Sequence, residues 1–126
     1  MTRYIDSNAL LRLILNDVPD QYEEVRKLLF VASANDVIVL EAVVEEVCFV
    51  LEFHAPYKMP RRVIYNLLSR LFSEPSLNVS KDIKDALRVY GNSSKLDLVD
   101  CLLAVKAGMK KRGVITFDKD LLKILV

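Results

Sequence analysis

Arg3-Tyr4-Ile5-Asp6-Ser7-Asn8-Ala9-Leu10-Leu11 sets the fold class. Arg3 to Asp6 reads as a short strand that ends in an acid. Ser7-Asn8 can cap a helix running through Leu15, with Leu10, Leu11, Ile14 and Leu15 apolar. Asn16 to Asp20 reads as a turn containing Pro19, and Gln21 to Ala34 as an amphipathic helix. Val37 to Leu40 is an apolar run of strand length. Glu41 to Phe53 is helical, and Pro56 to Pro60 breaks the pattern. A helix from Pro60 or Arg61 to about Glu74 carries Val63, Ile64, Leu67, Leu68, Leu71 and Phe72 on one face. Leu77 to Val79 is a short strand. Ser80 caps a helix from Lys81 to Tyr90, which Gly91-Asn92 stops. Asp97 to Arg112 is helical and ends at Gly113. Val114 to Phe117 is a fourth strand, Asp118 to Lys123 a short helix, and Ile124-Leu125-Val126 a possible fifth strand. Strands alternating with helices or helix pairs predict an α/β fold, with a mostly parallel sheet of four or five short strands and helices on both faces.

The chain has 126 residues, which suits one domain over 1–126. Apolar residues make up 52%, enough for a buried interior and against disorder. Charges interrupt every candidate membrane span, and Asp6 falls where a signal peptide would be apolar, so a soluble, cytoplasmic protein is expected. Cys48 and Cys101 lie in separate apolar helical patterns and read as buried small hydrophobes. His54, the only histidine, gives no material for a histidine-based zinc site or a Ser-His-Asp triad. It reads as a helix C-terminal or loop residue. The net charge of +1 does not advertise a nucleic-acid binder. If four acids face a cation, however, 13 acids remain against 18 bases, and the rest of the surface carries +5.

Those four acids are Asp6, Glu46, Asp100 and Asp118. Asp6 and Asp118 each end an apolar run and precede a helix start, where N-capping is the bland alternative. Two such strands can be adjacent at the switch point of a parallel sheet, where ligands bind. On a helix from Glu41 to Phe53, Glu41, Glu45 and Glu52 form a solvated stripe. Glu46 sits roughly 120° away among Ala42, Val43, Phe49, Val50 and Phe53. A carboxylate on an apolar face needs a partner, because burying a lone charge is costly. Asp97 and Asp100 share one side of their helix, Asp97 as cap and Asp100 as the ligand. Asp100 has only Leu103, Ala104 and Ala107 as helical neighbours, none of them basic. Carboxylates gathered at one edge repel one another unless a cation or protons neutralise them. Oxygen-only ligands favour Mg²⁺ or Mn²⁺ over Zn²⁺.

Four segments resemble a known family in order and spacing. Tyr4-Ile5-Asp6-Ser7-Asn8-Ala9-Leu10-Leu11 resembles the opening of a PIN domain. Glu46-Val47-Cys48-Phe49-Val50-Leu51 resembles its Glu-containing helix. Asp97-Leu98-Val99-Asp100-Cys101-Leu102-Leu103-Ala104 resembles its third acidic segment, and Val114-Ile115-Thr116-Phe117-Asp118-Lys119-Asp120 its terminal signature. The compact size is similar to the VapC toxins of type II toxin–antitoxin pairs.

This resemblance implies a three-layer α/β/α fold and a Mg²⁺- or Mn²⁺-dependent endoribonuclease leaving 5′-phosphate and 3′-hydroxyl ends. Asp6, Glu46, Asp100 and Asp118 would be its catalytic, metal-holding acids. Ser7, Asn8 and Thr116 would orient carboxylates or waters, and Asp97 and Asp120 would be auxiliary acids. It also implies a homodimer and a small antitoxin that blocks the acidic edge. Apolar surface on the helices at 21–34 and 61–74 favours the dimer as well. Arg12, Lys58, Arg61, Arg62 and Lys95 are candidate contacts to the RNA backbone, and Tyr57 the candidate for base stacking. Lys110-Lys111-Arg112 reads as a complement to a helix C-terminus. Two other readings stand beside this one: a PIN-like scaffold that binds RNA or protein without cutting, and a metal-dependent phosphatase. The latter lacks an Asp-x-Asp pair after the first strand, where Ser7-Asn8 stands instead.

Overall fold

A computed structural model describes residues 1–126. The elements run β1 (Arg3–Tyr4), α1 (Ser7–Leu15), α2 (Pro19–Val31), β2 (Val37–Ile38), α3 (Glu41–Phe53), α4 (Arg61–Leu71) and β3 (Leu77–Asn78). Then come α5 (Lys81–Asn92), α6 (Leu98–Lys106), a 3-10 turn at Lys111–Gly113, and α7 (Lys119–Ile124). The three strands form a parallel sheet in the order β1-β2-β3. Arg3 and Tyr4 stand opposite Val37 and Ile38, which in turn stand opposite Leu77 and Asn78. Each neighbouring pair of strands is joined through two helices, which a parallel crossover requires.

The α/β class holds, but the sheet has three strands rather than four or five. Val114 is extended, with φ −131° and ψ 127°, yet the segment to Phe117 pairs with no strand. Its period-2 pattern survives without a ladder: Val114 and Thr116 are half-buried, while Ile115 and Phe117 are exposed. Gly113 explains the segment's course. A Cβ there would come within 2.8 Å of the Ala107 Cβ, so the backbone lies against the end of α6. At the terminus, Ile124 closes α7 and the Val126 amide donates to the Met109 carbonyl, so no fifth strand forms. Because the last segment does not pair with β1, the expected sheet switch point between Asp6 and Asp118 is also missing.

Several boundaries moved for identifiable reasons. Asp6, not Ser7-Asn8, caps α1: its Oδ1 accepts from the Ala9 amide at 2.8 Å. Pro19 opens α2 instead of lying in a turn, as suits a residue with fixed φ and no N–H to lose. Gly91 does not stop α5. It lies inside the helix, where a Cβ would come within 2.9 Å of the Tyr65 Cβ on α4. Helix α6 ends at Lys106, not Arg112, because Gly108 and Met109 take positive φ values of 64° and 62° and turn the chain.

One apolar core joins α1, α3, α4, α5, α6 and α7, with Leu10, Val44, Leu51, Ile64, Leu68, Ile83, Tyr90, Cys101 and Leu121 among its buried members. Helix α1 packs on α2, α3 and α4; α5 packs between α4 and α6; α3 and α7 both touch α6. Cys48 and Cys101 are both buried free thiols, and burial pushes each up to about 12. No helix is long and apolar enough to cross a membrane.

Candidate acidic site

Three helices begin at an acid that caps them. Asp6 accepts from Ala9 at the start of α1. Asp97 Oδ1 accepts from the Asp100 amide at 2.8 Å at the start of α6. Asp118 Oδ1 accepts from the amides of Asp120 and Leu121, at 2.9 and 3.1 Å, at the start of α7. Thr116 Oγ1 accepts from the Asp118 amide at 3.0 Å and fixes the approach to that cap. In all three caps the bonds fall on Oδ1, which leaves Oδ2 for another partner. Capping and ligation are therefore compatible in each acid.

The acids gather in two groups. In the first, Ser7 Oγ donates to Glu46 Oε2 at 2.6 Å, tying the start of α1 to α3 one residue beyond Asp6. Asn8 is exposed on the first turn of α1. In the second, Asp100 feels the charges of Asp97, which caps its helix, and of Asp118. Its carboxyl is held above the usual range, first by burial, then by the charge of Asp97, with Asp118 adding to the effect. Its strongest charged neighbours are thus both acids, the imbalance that a cation relieves. Asp120 is half-buried in the first turn of α7, 3.8 Å from the Lys123 ammonium.

Glu46 is placed differently from the sequence expectation. The buried side of α3 is Val44, Val47, Cys48 and Leu51. At about 100° per residue, Glu46 points directly away from it. Phe49 and Phe53 lie beside Glu46 and are exposed, so that face is apolar without being buried. Glu52, assigned to the solvated stripe, is the acid that needed a buried partner. Its Oε2 accepts from Arg61 Nε at 2.8 Å and its Oε1 from the Tyr90 hydroxyl at 2.8 Å.

Arg61 is accordingly an internal residue, not one on the RNA-facing surface. Its side chain is 12% exposed, its Nη1 donates to the carbonyls of Ser93 and Leu96, and its guanidinium lies 4.4 Å from the Tyr90 ring centre. Arg12, in the last turn of α1, sits 3.3 Å from Asp17, an ion pair without hydrogen-bond alignment. Arg62 donates to Asn92 Oδ1 at 2.9 Å from an exposed position, and Lys58 and Lys95 are exposed in loops. Tyr57 is half-buried. Lys110-Lys111-Arg112 lies beyond the end of α6, whose last turn carries Lys106 instead. Lys106 binds Glu41 at 3.2 Å and Asp82 at 3.1 Å.

Sequence reasoning missed the Glu52–Arg61–Tyr90 cluster. Its members are 9 and 38 residues apart, beyond any helical spacing rule, so no local pattern marks it. As the side chains stand, no group of three or more His, Cys, Asp or Glu residues is placed to hold a metal ion. The donor chemistry still suits a hard cation: carboxylate oxygens, no histidine or thiolate, and an Asp100 crowded by like charge.

Residues 3–125 match the PIN domain family, and the chain belongs to it. PIN domains are generally nucleases, and their nucleases typically use divalent metals. Comparisons with curated proteins and with solved structures find no match.

Proposed function

We propose that this protein is a Mg²⁺- or Mn²⁺-dependent endoribonuclease, the toxin of a toxin–antitoxin pair. The observation that carries the reading is Asp100 in a PIN domain, its carboxyl raised by burial and by the charges of Asp97 and Asp118, beside an Asp97 that caps its helix. Asp6, Glu46, Asp100 and Asp118 would hold the metal, which when bound acidifies water and offsets charge on the phosphate. Ser7 donates to Glu46 and fixes that carboxylate. Asp97 fixes the first turn of α6 beneath Asp100, and Thr116 fixes the turn that presents Asp118. Asn8 and Asp120 would be auxiliary polar groups to these acids. Exposed Lys58, Arg62 and Lys95 supply the cations for an RNA backbone. A homodimer and a small antitoxin protein are the proposed partners. Exposed Leu28 and Val31 line one cleft beside α2 with Tyr4, which supports a protein contact, because large apolar side chains clustered at a surface mark interaction sites.

The test is cleavage of tRNA, rRNA and mRNA fragments with Mn²⁺ or Mg²⁺, comparing the parent chain with Asp6→Asn and Asp100→Asn. The reading expects both substitutions to abolish cleavage while the fold persists. Full activity in both variants would reject the site. No cleavage by the parent with either metal, alongside intact RNA binding, would favour a non-cutting scaffold.

A further inference from the structure

Helix α3 carries a stripe directly opposite its buried side. Ala42, Glu46, Phe49 and Phe53 fall within about 60° of arc when successive residues are turned 100°. Phe49 is 55% exposed and Phe53 53%, far more than rings of this size show in a packed interior. Their centroids are 5.0 Å apart and their planes inclined by 51°, a tilted pair rather than a parallel stack. His54, the residue that closes the helix, meets Phe49 edge-on with its centroid at 5.9 Å. The amide of Lys58 donates to the His54 carbonyl at 3.2 Å, so the loop that carries this exposed cation is tied to the end of α3. At the near end stands Glu46, in contact with Ser7 beside Asp6. The stripe from Glu46 to Phe53 is roughly 10 Å long at the helical rise.

We infer that Phe49 and Phe53 form a stacking platform for unpaired nucleobases next to the scissile phosphate. The inference rests on the ribonuclease reading above and deepens it by naming the two side chains that would hold unpaired bases. Three features favour a nucleic acid here over a protein partner. The exposed groups are aromatic faces, which any base can stack on. The platform is continuous with a carboxylate of the candidate acidic site. The loop tied to the end of the helix carries an exposed lysine, the charge that a phosphate backbone calls for. A duplex, whose bases are already stacked, has nothing to offer these rings.

The test measures binding of single-stranded and duplex 12-mer RNAs by an Asp6→Asn protein, in which cutting does not interfere. Phe49→Ala and Phe53→Ala remove the rings, and Phe49→Leu and Phe53→Leu keep an apolar side chain without a π-face. Both sites are exposed, so circular dichroism of all four variants should match the parent. The platform predicts single-strand affinity lower by roughly 5- to 150-fold per ring in both the Ala and Leu series, the range for base–aromatic stacking, with duplex binding unchanged. Leu variants that bind like the parent would overturn it. So would a parent dimer that Phe49→Ala converts to monomer without loss of RNA affinity, since the stripe would then serve a second copy. If the parent binds and cuts RNA but the rings do not matter, this inference alone fails. If the parent neither binds nor cuts, the ribonuclease reading fails and takes this with it.

Discussion

Replacing Arg61 by Ala tests the claim that this base belongs to the interior. The side chain is 12% exposed and its partner Glu52 19%. Removal strands the Glu52 carboxylate with only the Tyr90 hydroxyl, and leaves the carbonyls of Ser93 and Leu96 short of a donor. It also withdraws the cation from the face of Tyr90. Breaking one partner of a buried pair costs roughly 3–5 kcal/mol, whereas an exposed pair costs about 0–1. Domains of this size are stable by roughly 5–15 kcal/mol, so the larger figure brings the chain close to unfolding. Urea titration followed by circular dichroism reads the loss as a lower midpoint at unchanged slope. Arg61→Met with Glu52→Leu removes both charges and should recover much of the loss, because neither is then left unpaired. A loss below about 1 kcal/mol for Arg61→Ala would refute the reasoning and return Arg61 to the surface. The same loop runs on to Asp97, so a folded Arg61→Lys protein should also show greater hydrogen exchange at Leu96 to Asp100.

Asp100→Asn should stabilise the fold while removing activity. An acid whose folded pKa is raised contributes stability below its unfolded value, about 3.9, and loses it as pH rises through the folded value. The parent should therefore lose stability across that window relative to the variant, which urea midpoints from pH 3 to 7 would show. Glu46→Gln and Glu52→Gln should separate site from scaffold. The first, at an exposed residue, should abolish cleavage with an unchanged urea midpoint, and the second should lower the midpoint. Both buried thiols, pushed up to about 12, should resist a thiol reagent in the native protein and react on unfolding. Their raised values add stability below the unfolded thiol pKa of about 8.5, which fades as pH climbs above it.

Local chemistry carried much of the fold. Helix α3 follows its pattern to the residue and α1 ends at Leu15 as its pattern predicts, because side-chain periodicity sets them, while the cap of α1 moved to Asp6. The three strands of the sheet were also legible, as apolar runs between helices. Acids at the heads of α1, α6 and α7 could be found because a cap must occupy a fixed place in the chain. Pairing was another matter. Val114 to Phe117 has the composition and alternation of a strand, but a ladder needs a neighbour, and the tertiary structure supplies α6 instead. Glu46 and Glu52 exchanged roles for a similar reason. The sequence shows which residues share a helix face, but only packing decides which face turns inward. Arg61 reached Glu52, Ser93 and Leu96 from distant parts of the chain, so its burial was a property of the assembled helices alone.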